Sequence, residues 1–319
     1  MERAVFVSDL DRLPHPGEPY DRLYLGSEFC VWRLPGEREL RDALAAAAGR
    51  GIGFSLVTPF LDEPGLARTL DLVRALPADP STEVVANDLG LVESLRAAGW
   101  QGTVVAGRLL TRQRRGPGFQ SFGDIPPAAV AALRGSALDA PAFVELLGSA
   151  YGVMRFELDD LVQGIAVPPL PAGVSLSLYR PYLLVTVTRN CPWTFDGQTW
   201  GRGHGCSRPC RGLALRLVPD AENALSAAVL CSDQDSGRIS HGEGEGVARR
   251  GGLHGADRRE RNGGPQRQDP TAPHGTGPSS EGAARTLILG GCAQFLEHRS
   301  EAPPPAGVDR IVWQPGIPA

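Results

Sequence analysis

The feature that most constrains this chain is a regular exchange, up to about residue 190, of short β-branched runs with amphipathic stretches. Strand-like runs fall at 4–8, 23–26, 54–58, 83–87 and 103–107, and helix-like runs separate several of them at 37–49, 63–76 and 90–99. Beyond a Pro-, Gly- and Arg-rich loop at 112–127, helices are expected at 128–133 and 140–151, and strands at 154–158 and 183–188. Strands that alternate with helices pair in parallel, because a parallel neighbour requires a crossover of a dozen residues or more. Further β-runs at 213–217, 286–289 and 310–313 bring the number to one that suits a (β/α)-barrel, irregular in places, better than an open sheet. In such an α/β fold the C-terminal ends of the strands converge on one face, where function sits. Glu28 and Cys30, Asn87 and Asp88, Arg108, Glu157 and Asp159, and Cys191 all end such runs, so one mouth is expected to gather them.

The segment 232–285 breaks the pattern. It holds 12 Gly and 8 Arg, no aromatic residue, and only Ile239, Val247 and Leu253 as large aliphatics. It cannot build a core, and its composition reads as disordered or as text translated out of frame in a gene rich in G and C. The domain reading is therefore a single barrel unit made of 1–231 and 286–319, with 232–285 set apart.

Composition excludes several chemistries. All 32 basic residues are Arg, so no Schiff-base lysine, P-loop lysine or Ser-Lys pair exists. The net charge of −4 argues against a generally basic nucleic-acid-binding surface. No apolar run reaches the roughly 18 residues of a membrane span, and the first residues lack a signal-peptide pattern, so the expected location is cytoplasmic.

Six cysteines in a cytoplasmic chain of this length point to metal or redox use rather than a disulfide framework. Cys206-Ser-Arg-Pro-Cys210 is a C-x3-C pair, and Cys191 precedes it across a loop rich in Gly and Trp. Three thiolates brought near one point suit a soft metal or an iron–sulfur cluster. The fourth ligand is Cys30, which a barrel would carry to the same face, or His204, two residues before Cys206. Zinc competes, although its structural sites usually show two close pairs; buried free thiols are the bland alternative. Cys231 and Cys292 lack such neighbours, and Cys292 reads as a strand-end thiol.

Four motifs, taken together, resemble the collagenase-like U32 peptidase family. They are Tyr24-Leu25-Gly26-Ser27-Glu28-Phe29-Cys30, Val85-Ala86-Asn87-Asp88-Leu89-Gly90, Val105-Ala106-Gly107-Arg108-Leu109 and Cys206-Ser207-Arg208-Pro209-Cys210-Arg211, with the tail Val308-Asp309-Arg310-Ile311-Val312-Trp313-Gln314-Pro315. One early cysteine followed far downstream by three is similar to the V-type iron–sulfur proteins of anaerobic ubiquinone hydroxylation within that family. The resemblance implies a (β/α)-barrel and a four-iron four-sulfur cluster held by Cys30, Cys191, Cys206 and Cys210. It also implies a homologous family member as heterodimeric partner and a quinone precursor as a substrate.

Three functions are weighed on this basis. The first is cluster-dependent, oxygen-independent hydroxylation, with Glu28, Asn87, Asp88 and Arg108 as candidate catalytic or substrate-positioning groups; Asn87 and Asp88 could equally cap the following helix, and Arg108 could pair with a carboxylate. The second is a peptidase, poorly supported because the chain has no His-Glu-x-x-His or Gly-x-Ser-x-Gly motif and only His15, His204 and His298 lie outside 232–285. The third is an assembly subunit with a structural cluster.

Overall fold

The computed structural model describes residues 1–13, 19–77, 79–115, 125–188, 190–195, 205–219, 225–231 and 287–317. The segment 232–285, His15 and His204 lie outside these described residues.

The strands of the barrel are β1 (Glu2–Val7), β2 (Arg22–Gly26), β3 (Gly53–Val57), β4 (Thr82–Ala86), β5 (Thr103–Ala106), β6 (Arg155–Asp159), β7 (Ser175–Arg180) and, far downstream, β13 (Val308–Trp313). They close in the order β1-β13-β7-β6-β5-β4-β3-β2, and every pair is parallel. The helices are α1 (Glu37–Arg50), α2 (Glu63–Arg74), α3 (Leu89–Ala97), the short α4 (Arg108–Thr111), α5 (Pro127–Arg134) and α6 (Pro141–Tyr151). The chain therefore folds as the α/β (β/α)-barrel its pattern predicts. Among the described residues no helix is long and apolar enough to cross a membrane.

Barrel strands are buried on both faces, so apolar residues run continuously along them while alternating in destination. Val5, Val7, Leu23 and Leu25 pack outward in one core that includes residues of α1, α2, α3 and α6, whereas Ala4, Phe6, Tyr24, Val57, Val85 and Tyr179 form a second cluster with a different set of neighbours. Within that second cluster Phe6, Tyr24 and Tyr179 meet edge to face, with ring centres 6.2–6.5 Å apart.

The structure corrects the placement of three expected barrel strands. The runs at 183–188, 213–217 and 286–289 belong to a separate antiparallel sheet of β8 (Tyr182–Val187), β9 (Leu213–Pro219), β10 (Leu225–Cys231), β11 (Leu287–Gly290) and β12 (Ala293–Glu297), in the order β10-β9-β11-β12-β8. This sheet is inserted between β7 and β13. No helix separates β11 from β12, only Gly291-Cys292, and a two-residue connection permits antiparallel pairing alone. Gly291 takes φ +56°, the left-handed conformation that such a turn requires. The barrel strand β7 was hidden because Pro181 alone parts it from β8, so two strands of different sheets read as one stretch.

Candidate metal centre

Two groups of polar residues lie past the C-terminal ends of the barrel strands. The first surrounds Arg108. Its Nε donates to Glu28 Oε1 at 2.9 Å, its Nη2 pairs with the other oxygen of the same carboxylate, and its Nη1 reaches Asp159 Oδ1 and the carbonyl of Tyr182, the latter at 3.2 Å. All three ionised side chains are fully buried. Arg115 adds a second cation on Asp159, Nε to Oδ2 at 3.0 Å, and the backbone N–H of Leu184 donates to Asp159 Oδ1 at 3.1 Å. The guanidinium of Arg108 stacks 3.9 Å from the Tyr179 ring centre and 5.7 Å from that of Phe29. Burial disfavours its charge, but Asp159 and Glu28 outweigh that and push its pKa up. Glu157 sits beside this network without a cation of its own. Burial first, then the charge of Glu28, raises its pKa to about 8, so it is a neutral acid at pH 7. Its Oε2 accepts from the Tyr179 hydroxyl at 2.7 Å.

The other two candidates at the mouth are held by the backbone. Asn87 donates to Thr58 O and accepts from Leu109 N–H, each at 2.9 Å, which fixes the start of α4. Asp88 caps α3 through Leu91 N–H at 3.2 Å. Thus Glu28, Asn87, Asp88 and Arg108 are all engaged by other parts of the chain.

The second group is a ring of thiols. Cys30, Cys191, Cys206 and Cys210 line one cavity of about 1190 Å³, and Cys292 joins them. Each arrives by its own device. Gly26 ends β2 with φ +138° at a point where a Cβ would meet Val57 O at 2.1 Å, and the chain then turns through Ser27, whose hydroxyl accepts from Cys30 N–H at 3.2 Å. Cys191 opens a 3-10 turn, Pro192–Thr194, just after β8, and its carbonyl accepts from Thr194 N–H at 3.1 Å. Its strand therefore belongs to the antiparallel sheet and not to the barrel. In the C-x3-C loop Arg208 takes the left-handed φ +58°, rare for a residue with a side chain, and its N–H points at Cys206 Sγ at 3.3 Å. Arg33 contributes a weaker contact to Cys210, Nη1 to Sγ at 3.8 Å, while its Nη2 donates to Asp9 Oδ2 at 3.2 Å. Asp9 also pairs with Arg211 at 3.2 Å, so it ties the segment after β1 to both cysteine-bearing loops.

Burial pushes the Cys191 thiol up, and neighbouring Cys210, Cys30 and Cys206 push it the same way. Cys30 goes the other way, to about 6, because Cys292 hydrogen-bonds to it, assisted against burial by the N–H of Trp32 and the charge of Arg33. Cys292 correspondingly holds its proton, and its Sγ also lies 3.0 Å from Phe29 O, a second acceptor for that one proton.

Among the described residues, no three His, Cys, Asp or Glu side chains close on a point as the ligands of a single metal ion do. A zinc ion would draw its sulfurs to about 2.3 Å of one atom. A polynuclear cluster is a larger body that keeps its thiolates apart on its outside, and the soft donors on this cavity wall, beside the Asp62 carboxylate, are thiols. For a cysteine nucleophile, His298 does not line the cavity, so no thiol–imidazole pair stands there among the described residues.

Sequence reading missed Cys292, Asp9 and Arg33. The dipeptide Gly291-Cys292 between two β-runs is a hairpin signal that could have found the first.

No family model matches the chain, and no curated protein does. Among solved structures it is similar to one described as that of the U32 peptidase Mk0906, at 16% identity over 60% of this chain and 71% of the other, with a TM-score of 0.30.

Proposed function

We propose that this chain is an iron–sulfur protein of the U32 type that holds a four-iron four-sulfur cluster through Cys30, Cys191, Cys206 and Cys210. We further propose that it takes part, with a homologous partner, in oxygen-independent hydroxylation of a quinone precursor. The observation that carries the reading is that four thiols, one near the start of the chain and three within 191–210, line one cavity. The family and the hydroxylation rest on the motifs quoted above.

A cluster of this kind supplies single electrons at a potential set by net charge, hydrogen bonds to its sulfurs and solvent exposure. The chain supplies the rest. The Arg208 N–H and the Arg33 guanidinium donate to the sulfurs of Cys206 and Cys210, and Cys292 favours negative charge on Cys30. Phe29, Trp32, Phe60 and Trp193 supply apolar surface beside the thiols.

The test is absorption and paramagnetic-resonance spectroscopy on anaerobically prepared protein, with about four iron and about four sulfide per chain expected. Cys206→Ala and Cys210→Ala should lose both signals. Intact protein with neither iron nor signal ends the proposal.

A second reading, an assembly subunit whose cluster is structural, is favoured by the Arg108 network, which engages the polar groups of the mouth among themselves. It predicts that variants at Glu28 or Asp159 that still fold leave the partner's activity unchanged.

A further inference from the structure

Four arginines crowd around the thiol loops, and they fall into two kinds. Arg33 is paired with Asp9, and Arg211 with Asp9 and Asp11. Arg68 and Arg208 have no carboxylate partner among the described residues. Their Nη2 atoms both donate to the same neutral acceptor, the carbonyl of Leu34, at 3.1 and 3.4 Å, and Arg68 also reaches Val31 O at 3.4 Å. Both are half-buried. Two like charges held together and partly withdrawn from water are destabilising unless an anion bridges them. Burial first, then the charge of Arg208, pushes the Arg68 pKa down.

The surroundings suit a ligand. Arg208 and Val31 line the cavity of the thiols. Asp62 is the one carboxylate on the described part of that wall, and it is committed to capping α2 through Gly65 N–H at 2.9 Å. On the same wall Trp32 and Phe60 are 40% and 49% exposed, enough to offer apolar faces. Trp193, also on the wall, has an indole N–H buried without a described acceptor.

We infer that Arg208 on the wall of the thiol cavity and Arg68 behind that wall, bonded to its Val31 carbonyl, form a binding site for the phosphate group of a small phosphomonoester that enters the cavity. Charge matching selects the ligand. A phosphomonoester carries about −1.5 to −2 at pH 7, against −1 for a carboxylate or a phosphodiester, and guanidinium forks suit its oxygens. Two cations without a carboxylate partner among the described residues fit one such group; a nucleic-acid backbone would need a track of them. The inference does not invoke the cluster, since it is argued from the two arginines and the cavity wall alone.

The experiment is calorimetric titration of the full chain with inorganic phosphate at low ionic strength, on metal-free and on iron-loaded protein. Saturable binding is expected in both. Arg68→Gln and Arg208→Gln should each weaken it about tenfold, or about 1.4 kcal/mol. Arg211→Gln should leave it unchanged, because Arg211 is already paired. Should a Gln variant fail to fold, Arg208→Lys replaces it and should weaken binding by a smaller factor. Absence of phosphate binding, equal loss in Arg211→Gln, benzoate binding as tightly as phosphate, or displacement by an oligonucleotide at lower concentration would each overturn the inference. Phosphate binding to protein that never acquires iron would leave it standing while the cluster proposal fell; iron without phosphate binding would do the reverse.

Discussion

The two polar regions beyond the barrel strands are built from opposite logic. Around Arg108, anions and cations answer each other: Glu28 and Asp159 face Arg108 and Arg115, and Glu157 is neutralised by its own proton. Around the thiols the answer is partial among the described residues: Arg33 and Arg211 pair with Asp9, whereas Arg68 and Arg208 have no carboxylate. Five sulfurs line a cavity with one described carboxylate on its wall, and two arginines share a carbonyl. A buried group whose partners are internal supports the fold. A group left without one is available to something from outside.

Four measurements break or sharpen that contrast, and their effects on the stability of the metal-free protein should fall in order. Arg108→Met leaves two buried carboxylates facing each other, so a loss of about 3–5 kcal/mol is expected in urea unfolding. A loss under about 1 kcal/mol would mean the network is not the structural half of the pair. Glu157→Gln comes next and acts through pH. The folded pKa of about 8 lies above the ordinary 4.5, so the stabilisation is fully present below pH 4.5 and is lost as pH rises through 8. Wild-type thermal unfolding should therefore shift downward across that window, by at most about 1.4 kcal/mol per pH unit, and the Gln variant should show a flatter profile.

Cys292→Ala should alter stability by only about 1 kcal/mol. Its informative effect is on Cys30, whose alkylation by iodoacetamide should lose its midpoint near pH 6 and move toward the ordinary 9.0. An unmoved midpoint would show that Cys292 does not set the state of Cys30. Cys206→Ser, on a partly exposed loop, should change stability by less than about 0.5 kcal/mol while abolishing iron uptake. A large loss of fold would place this thiol with the structural region instead.

The parts of the fold legible in the sequence were those whose signal is local. Strands β1 to β6 and the long helices α1, α2, α3 and α6 stand out because a period of two or of 3.6 survives in any few turns of chain. Which sheet a strand joins is not local. Tyr182–Val187 looks like any barrel strand, and only its antiparallel partner in residues 293–297 removes it from the barrel. The four thiols were chosen from spacing and resemblance, and they do line one cavity, though Cys191 reaches it from the inserted sheet. Glu28 and Arg108 were visible as strand-end polar residues. Their mutual pairing was not, because it joins positions 80 residues apart and depends on barrel closure. The Arg68–Arg208 pair was invisible for the same reason: one residue lies on α2, the other in the C-x3-C loop.

The last barrel strand, β13, pairs with β1 and β7, whereas everything from β8 to β12 lies between β7 and β13 in the chain. On the ribosome the barrel consequently waits. Seven of its strands exist as an open sheet, with β1 and β7 as bare parallel edges, until residues 308–313 have been made. All five thiols of the cavity are synthesised before that closing strand, so an early metal ion or oxidant would meet them on an incomplete scaffold. On the cluster reading proposed above, loading of the sulfurs would come after that final strand has emerged.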